Sequence, residues 1–268
     1  MAKRALCVGI NEYPRAELEL KGCVNDAKAW AALLKDHYDF ASSDVTLLLD
    51  AKATKAKIMV GLRDLLAGAA SGDVLVFTNS SHGTYRADVD GDESLYDEAL
   101  CPYDCDDNLI IDDELRELFA DIPRGVRFTV VSDSCHSGSA TRAPFEPALT
   151  PDHRRARFCN PRLLGLRDIN DVRRRARPRG ADLHPESGMR ELLLSGCRSD
   201  QYSYDAQFGR KFHGAMTHHA LGIIADRKYR ISYRALNNAL VPRLREQLYD
   251  QEPQLEGRVS YKRRQIFT

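Results

Sequence analysis

Short apolar runs alternate along this chain with stretches whose apolar residues recur every three or four positions. Residues 5–10 (ALCVGI) form an apolar run ending at Asn11, the pattern of a strand buried on both faces. Residues 25–34 switch to helical spacing, with Asn25 or Asp26 available as a cap. Residues 45–49 predict a second strand. Thr54 can cap a helix carrying Ile58, Met59, Leu62, Leu65 and Leu66 on one face. Gly72-Asp73 turns into a third strand at 74–78, and Asp112 or Asp113 opens a helix holding Leu115, Leu118 and Phe119. Residues 126–131 predict a fourth strand and 191–195 a fifth, followed by helices near 214–225 and 232–248. Pro242 is expected to kink or split the last of these. A final strand is expected within 259–267. Strands separated by helical patterns imply crossover connections, an α/β class and a mainly parallel sheet covered on both faces.

In such sheets ligands gather beyond the carboxyl ends of the strands. Two polar motifs fall there: Asn79-Ser80-Ser81-His82-Gly83 after the third strand and Ser132-Asp133-Ser134-Cys135-His136-Ser137-Gly138 after the fourth. An arbitrary Cys/His pair is usually a buried thiol and an unrelated imidazole. Here both residues sit in small polar motifs at the ends of strands expected to be neighbours. An imidazole within hydrogen-bond reach activates a thiol as nucleophile and can then protonate a leaving amine. The backbone N–H groups of Cys135 and Gly83 are candidate oxyanion donors.

Composition narrows the class without naming it. The 268 residues carry 39 Lys+Arg and 39 Asp+Glu, and a net charge of zero argues against a nucleic-acid or anionic-membrane surface. No apolar run approaches a membrane span, and the N-terminus has no signal-peptide core. Seven cysteines are an odd number at low density, so reduced thiols and a cytoplasmic location are expected. The charge is nonetheless segregated. Residues 88–113 hold eleven acids and no Lys or Arg, whereas 142–190 hold twelve Arg and six acids. Such blocks commonly mark solvated loops; the functional alternatives are a cation site in the first and a protease-sensitive or partner-binding segment in the second.

Spacing excludes several chemistries. A phosphatase loop needs Arg six positions after the nucleophile, where Thr141 stands. A hydrolase elbow needs Gly two residues either side, where Asp133 and Ser137 stand. Cys101 and Cys105 make half a zinc site without a second half, and the acids of 88–93 place Gly wrongly for an EF-hand.

The ordered motifs LKGCVNDA, SSHG, YDEALCPYD, IIDDEL, DSCHSGSA, LLSGCRSDQYSYDA, GAMTHHAL and QEPQLEG resemble a metacaspase of the type I or prokaryotic caspase-like kind, from about Ala5 to the C-terminus. The resemblance implies the caspase–hemoglobinase fold, a single α/β domain over 1–268 with an essentially six-stranded sheet. Its parts would be 1–141 with nucleophile and base, an Arg-rich insertion or linker at 142–190, and a C-terminal part at 191–268. The chain opens on its first strand, so no prodomain is expected. Carried over by motif, Cys135 is the nucleophile and His82 the general base and acid. Cleavage after Arg or Lys is implied, through an acidic S1 pocket matching Asp26, Asp133, Cys23 and Ser80. Elementary electrostatics agrees, because a guanidinium entering a partly dry pocket needs carboxylate partners.

The chemistry itself requires no cofactor. Family members often use calcium held by four aspartates; Asp97, Asp112 and Asp113 match three, but the fourth position is Arg142. A cation cannot ligate calcium, so weakened calcium dependence is expected, with Arg142 replacing part of the ion's charge. Within the linker, Arg173, Arg174, Arg175, Arg177 and Arg179 are the expected self-cleavage sites. The partner is a protein or peptide substrate with a basic P1 residue, and a monomer is expected. Rival classes are a catalytically silent caspase-like interaction module, a proenzyme needing a partner, and a thiol-redox sensor, which would require a resolving cysteine near Cys135.

Overall fold

The computed structural model describes residues 1–87, 96–135, 154–166 and 186–268. In chain order the strands are β1 (Lys3–Gly9), β2 (Val45–Leu49), β3 (Val74–Ser80), β4 (Gly83–Ala87), β5 (Tyr96–Leu100), β6 (Ile110–Ile111), β7 (Arg127–Asp133), β8 (Arg155–Ala156), β9 (Glu191–Ser195), β10 (Tyr204–Phe208), β11 (Lys211–Gly214) and β12 (Gln254–Glu256). The helices are α1 (Cys23–His37), α2 (Lys55–Leu66), α3 (Asp112–Ala120), α4 (Ala215–Asp226), α5 (Tyr233–Glu246) and α6 (Val259–Lys262).

Six strands make the central sheet in the order β12-β9-β7-β3-β1-β2. All neighbouring pairs are parallel except β12 with β9, so the sheet is mixed at one edge. Alternation along each strand divides the core into two layers. Ala5, Cys7, Val74, Val76, Val131, Leu192 and Leu194 face Trp30, Met216, Leu236 and Leu240 of α1, α4 and α5. Leu6, Val8, Leu75, Phe77, Phe128 and Val130 face Ile58, Leu62 and Phe119 of α2 and α3. Thr54 caps α2 as its sequence predicts, accepting from the Lys57 N–H.

Two expectations are corrected. Residues 259–262 are helical, and the sixth strand is β12, whose three residues are too few to show alternation in the sequence. Beyond α6 the chain goes into the core irregularly, with Phe267 edge-on to Trp30 at 6.0 Å. Pro242 does not split α5, which runs through it. Leu236, Leu240 and Leu244 are buried at four-residue spacing on both sides of the proline, and that packing offsets its missing hydrogen bond.

The register sets the site. Ser80 of β3 pairs with Asp133 of β7. His82 and Cys135 each follow two residues later, so equal chain lengths carry both past the same sheet edge. Two smaller sheets, β4-β5-β6 and β11-β10-β8, stand beside this edge.

Candidate active site

Segment 154–160 crosses the strand ends as an added strand. Arg155 and Ala156 pair antiparallel with Asp205 and Tyr204 of β10. The Arg157 N–H donates to the Ser203 carbonyl at 2.9 Å. The Arg157 carbonyl accepts from the Gly83 N–H at 2.9 Å and the Cys135 N–H at 3.2 Å. These are the two amides expected to form an oxyanion hole, and one peptide carbonyl of the chain itself occupies both. Past it, the Cys159 N–H donates to the Gly83 carbonyl at 2.8 Å, and Thr84 Oγ1 donates to the Cys159 carbonyl at 2.8 Å.

The Arg157 side chain is fully buried, at 0% exposure. One guanidinium nitrogen donates to Asp26 Oδ2 at 2.7 Å and Asp205 Oδ1 at 2.9 Å. The other donates to the Asp133 carbonyl at 3.0 Å, with Asp133 Oδ2 at 3.5 Å. Burying a guanidinium costs several kcal/mol unless it is paired and hydrogen-bonded, and three carboxylates supply that here. Burial pushes the Asp26 carboxyl up from its ordinary range, and Arg157 and a hydrogen bond from His213 oppose the shift. Ser80 Oγ donates to Asp26 Oδ2 at 3.2 Å. Cys23 is also fully buried beside this group; burial raises its thiol pKa and Arg157 counters. All four residues expected to line S1 therefore come together around one arginine.

Asp205 was not anticipated. It accepts from the Lys21 and Gly22 amides as well as from Arg157, so it ties the α1 entry to β10. Its sequence signal is a lone acid between Tyr204 and Ala206 in a short strand, which reads equally well as solvent-facing. Two glycines permit the packing. A Cβ at Gly22 would collide with the Asp205 carboxylate and His213 backbone, and one at Gly214 with Asp133 and Arg157. Asp133 is further fixed by Thr217, whose N–H and Oγ1 donate to Oδ2 at 3.0 and 2.7 Å, and by Ser203 Oγ, which donates to Oδ1.

His82 is 1% exposed, and its Nε2 lies 2.9 Å from the Leu18 carbonyl. A carbonyl only accepts, so Nε2 carries the proton and Nδ1 keeps its lone pair. Nδ1 is buried without a hydrogen-bond partner. Burial first, then the charge of Arg155, lowers the imidazole pKa from its usual 6.5 to about 3, so the ring is neutral at physiological pH. The His82 N–H donates to Tyr13 Oη at 3.1 Å, and Tyr13 Oη donates to the Cys101 carbonyl at 3.1 Å.

Cys135 is fully buried, and its thiol is turned away from the imidazole. Sγ accepts from the Ser203 N–H at 2.6 Å and donates to the Ser203 carbonyl at 3.1 Å. The Cys197 thiol lies against it, and that contact, with burial, raises the Cys197 pKa. The structure thus aligns Cys135 and His82 at one sheet edge without a hydrogen bond between them.

The expected calcium ligands Asp97, Asp112 and Asp113 each pair with an arginine. Asp97 Oδ2 accepts from Arg86 Nε at 2.9 Å, and its Oδ1 is buried without a hydrogen-bond partner. Asp112 and Asp113 pair with Arg116 within α3. Among the described residues no three His, Cys, Asp or Glu side chains gather closely enough to hold a metal. Arg86 and Arg116 meet the charge of these carboxylates, and the three lie near one another: burial first raises the Asp97 pKa, Asp113 and Asp112 add to the rise, and Arg86 opposes it. Arg142 and the self-cleavage candidates Arg173, Arg174, Arg175, Arg177 and Arg179 lie outside the described residues.

A mixed six-stranded α/β sheet with a cysteine and a histidine beyond adjacent strand ends is the architecture of a caspase-like peptidase. The metacaspase peptidase C14 domain matches residues 3–144. Metacaspase-1 of Scheffersomyces stipitis is 31% identical over 94% of this chain and 70% of its own. The chain belongs to the metacaspase family. Metacaspase-4 of Arabidopsis thaliana is 43% identical over 145 residues, covering 52% of this chain and 34% of its own. This chain thus matches about a third of that relative's length. Among solved structures, protein GSU0716 from Geobacter sulfurreducens superposes with a TM-score of 0.75 at 28% identity, covering 100% of this chain and 99% of its own. No helix among the described residues is long and apolar enough to cross a membrane.

Proposed function

We propose that the protein is a cysteine endopeptidase that cleaves after Arg or Lys, and that it is folded here as its own uncut precursor. One observation carries the reading. Arg157 has its carbonyl on the Gly83 and Cys135 amides while its guanidinium is held by Asp26, Asp133 and Asp205. A P1 residue of a bound substrate has to satisfy both conditions at once. The resident segment also adds to β10 by backbone pairing, a general way of presenting an extended peptide. The chemistry follows from the groups present. Rotation of the Cys135 side chain frees Sγ from Ser203, and His82 Nδ1 accepts the thiol proton. The sulfur attacks the Arg157 carbonyl carbon, and the developing oxyanion stays on the two amides. The C–N bond to Phe158 breaks, the imidazolium protonates the departing amine, and water then hydrolyses the thioester.

The self-cut bond is accordingly Arg157–Phe158, rather than one within 173–179. The thiol's engagement with Ser203 and the filled pocket favour a resting precursor over a permanently silent module. Intact mass of purified wild type and Cys135→Ala tests this. Fragments of residues 1–157 and 158–268 from wild type alone are expected, followed by Cys135-dependent hydrolysis of fluorogenic peptides with Arg or Lys, and not Asp, at P1. Intact wild type that also leaves every basic peptide uncut would overturn the reading.

A further inference from the structure

Residues flanking Arg157 are held as specifically as Arg157 itself. Arg154, three residues earlier, lies with its guanidinium 4.0 Å over the Tyr249 ring. Its nitrogens donate to the Leu248 carbonyl at 2.8 Å and the Gln247 carbonyl at 3.1 Å. These two carbonyls lie just past the C-terminus of α5, at the negative end of its dipole. An aromatic face and two such oxygens together form a receptor for a cation. Arg155 donates to the Glu17 carbonyl; burial lowers its pKa, and the Asp205 and Glu19 carboxylates oppose that shift. Ala156 is buried against the Tyr85–Cys135–Cys197 cluster, which limits that position to a small side chain. Beyond the scissile bond, Phe158 is 7% exposed between two tyrosine rings, with centroids 6.0 Å from Tyr85 and 5.6 Å from Tyr202.

We propose that these contacts are substrate subsites, so that the preferred protein substrates carry a basic residue at P4, a small one at P2 and an aromatic one at P1′ around the cleaved arginine. Tyr249, with the Gln247 and Leu248 carbonyls, determines the P4 preference, and Tyr85 with Tyr202 determines P1′. The segment that fills the cleft before processing is then a template for what replaces it. The inference rests on the peptidase reading above and is separable from it by experiment.

Three internally quenched peptides spanning P4–P2′ make the test: Arg-Arg-Ala-Arg-Phe-Ser, the same with Ala at P4, and the same with Asp at P1′. The processed wild-type enzyme should cut all three after the P1 arginine. Its kcat/KM should fall about tenfold for each change, in line with a charge-assisted hydrogen bond plus a cation–π contact, and with a buried ring contact. Tyr249→Leu should shrink the P4 Arg/Ala ratio to below about twofold, while Tyr249→Phe, which keeps the ring, should preserve it. The readout is a ratio within one enzyme, so general loss of activity in a variant does not mimic it. Equal kcat/KM for all three peptides, each cut after the P1 arginine, would overturn the subsites and leave the peptidase reading standing. No Cys135-dependent cleavage of any peptide would overturn both.

Discussion

His82 should make the uncut protein sensitive to acid, by an amount that follows from its surroundings. The folded imidazole has its pKa lowered to about 3, by burial first and then by the charges of Arg155 and Arg157, with the Leu18 carbonyl opposing. In the unfolded chain the ordinary value of 6.5 applies. Between those values the unfolded chain binds the proton and the folded chain does not, so stability rises with pH across the window and is lost as pH falls. At pH 5 the unfolded imidazole is favoured by about 1.5 pKa units, or about 2 kcal/mol, while at pH 7 the term is near zero. His82→Gln can still donate to the Leu18 carbonyl but cannot take up a proton. Both proteins are compared in a Cys135→Ala background, to keep the chain uncut, by urea unfolding at pH 7 and pH 5. The loss of stability on acidification should be about 2 kcal/mol smaller in the glutamine variant. His219, lowered to about 4, and His218, also lowered, contribute equally to both proteins and cancel in the difference. Identical losses would refute the assignment of a buried, neutral imidazole. They would also remove the reason for regarding Nδ1 as a ready base.

Three further outcomes follow from the same geometry. Asp205→Asn removes one of three carboxylates around the P1 guanidinium, and kcat/KM for Arg peptides should fall on the order of ten- to a hundredfold; a change under twofold would exclude Asp205 from the pocket. Gly22→Ala places a methyl group against the Asp205 carboxylate and the His213 backbone, and should cost about 1–3 kcal/mol in chemical unfolding. With Arg86 and Arg116 already paired to Asp97, Asp112 and Asp113, peptide hydrolysis should be the same within about twofold in calcium and in excess chelator, and strict dependence on calcium would sink that expectation.

The parts of this architecture that a sequence displays are those governed by local periodicity. Continuous apolar runs gave away β1, β3 and β7 because strands buried on both faces admit little else, and the Leu192-Leu193-Leu194 run gave away β9, which buries alternate residues. Helical spacing and the Thr54 cap did the same for α2. His82 and Cys135 were legible because polar motifs ending apolar strands are unusual. What stayed hidden depends on contacts across the chain. β12 is three residues long and is defined only by its pairing with β9. Asp205 meets Asp26 and Asp133 only once β10 is laid beside the sheet edge. Arg157 was the hardest to see: it is one of twelve arginines in 142–190, and its partners Asp26, Asp133 and Asp205 are distant in sequence.

Ser203 connects the resting state to the reactive one. Its carbonyl accepts from both the Arg157 N–H and the Cys135 thiol, and its own N–H donates to that thiol. The residue that receives the substrate backbone thus also restrains the nucleophile. If the chain cuts itself after Arg157 as proposed above, the rest of what the first cut needs is already in place: the Arg157 side chain is paired, its carbonyl sits on the Gly83 and Cys135 amides, and the histidine tautomer is set by Leu18. The outstanding step is a rotation of the Cys135 side chain, exchanging two hydrogen bonds to Ser203 for one to His82. Each of those bonds is worth about 1 kcal/mol net, so that rotation is a small, local step and does not require the sheet to rearrange. Burial is the main cause of the lowered His82 pKa and the charge of Arg155 the next, so clearing the cleft after the proposed cut would lift only part of that depression.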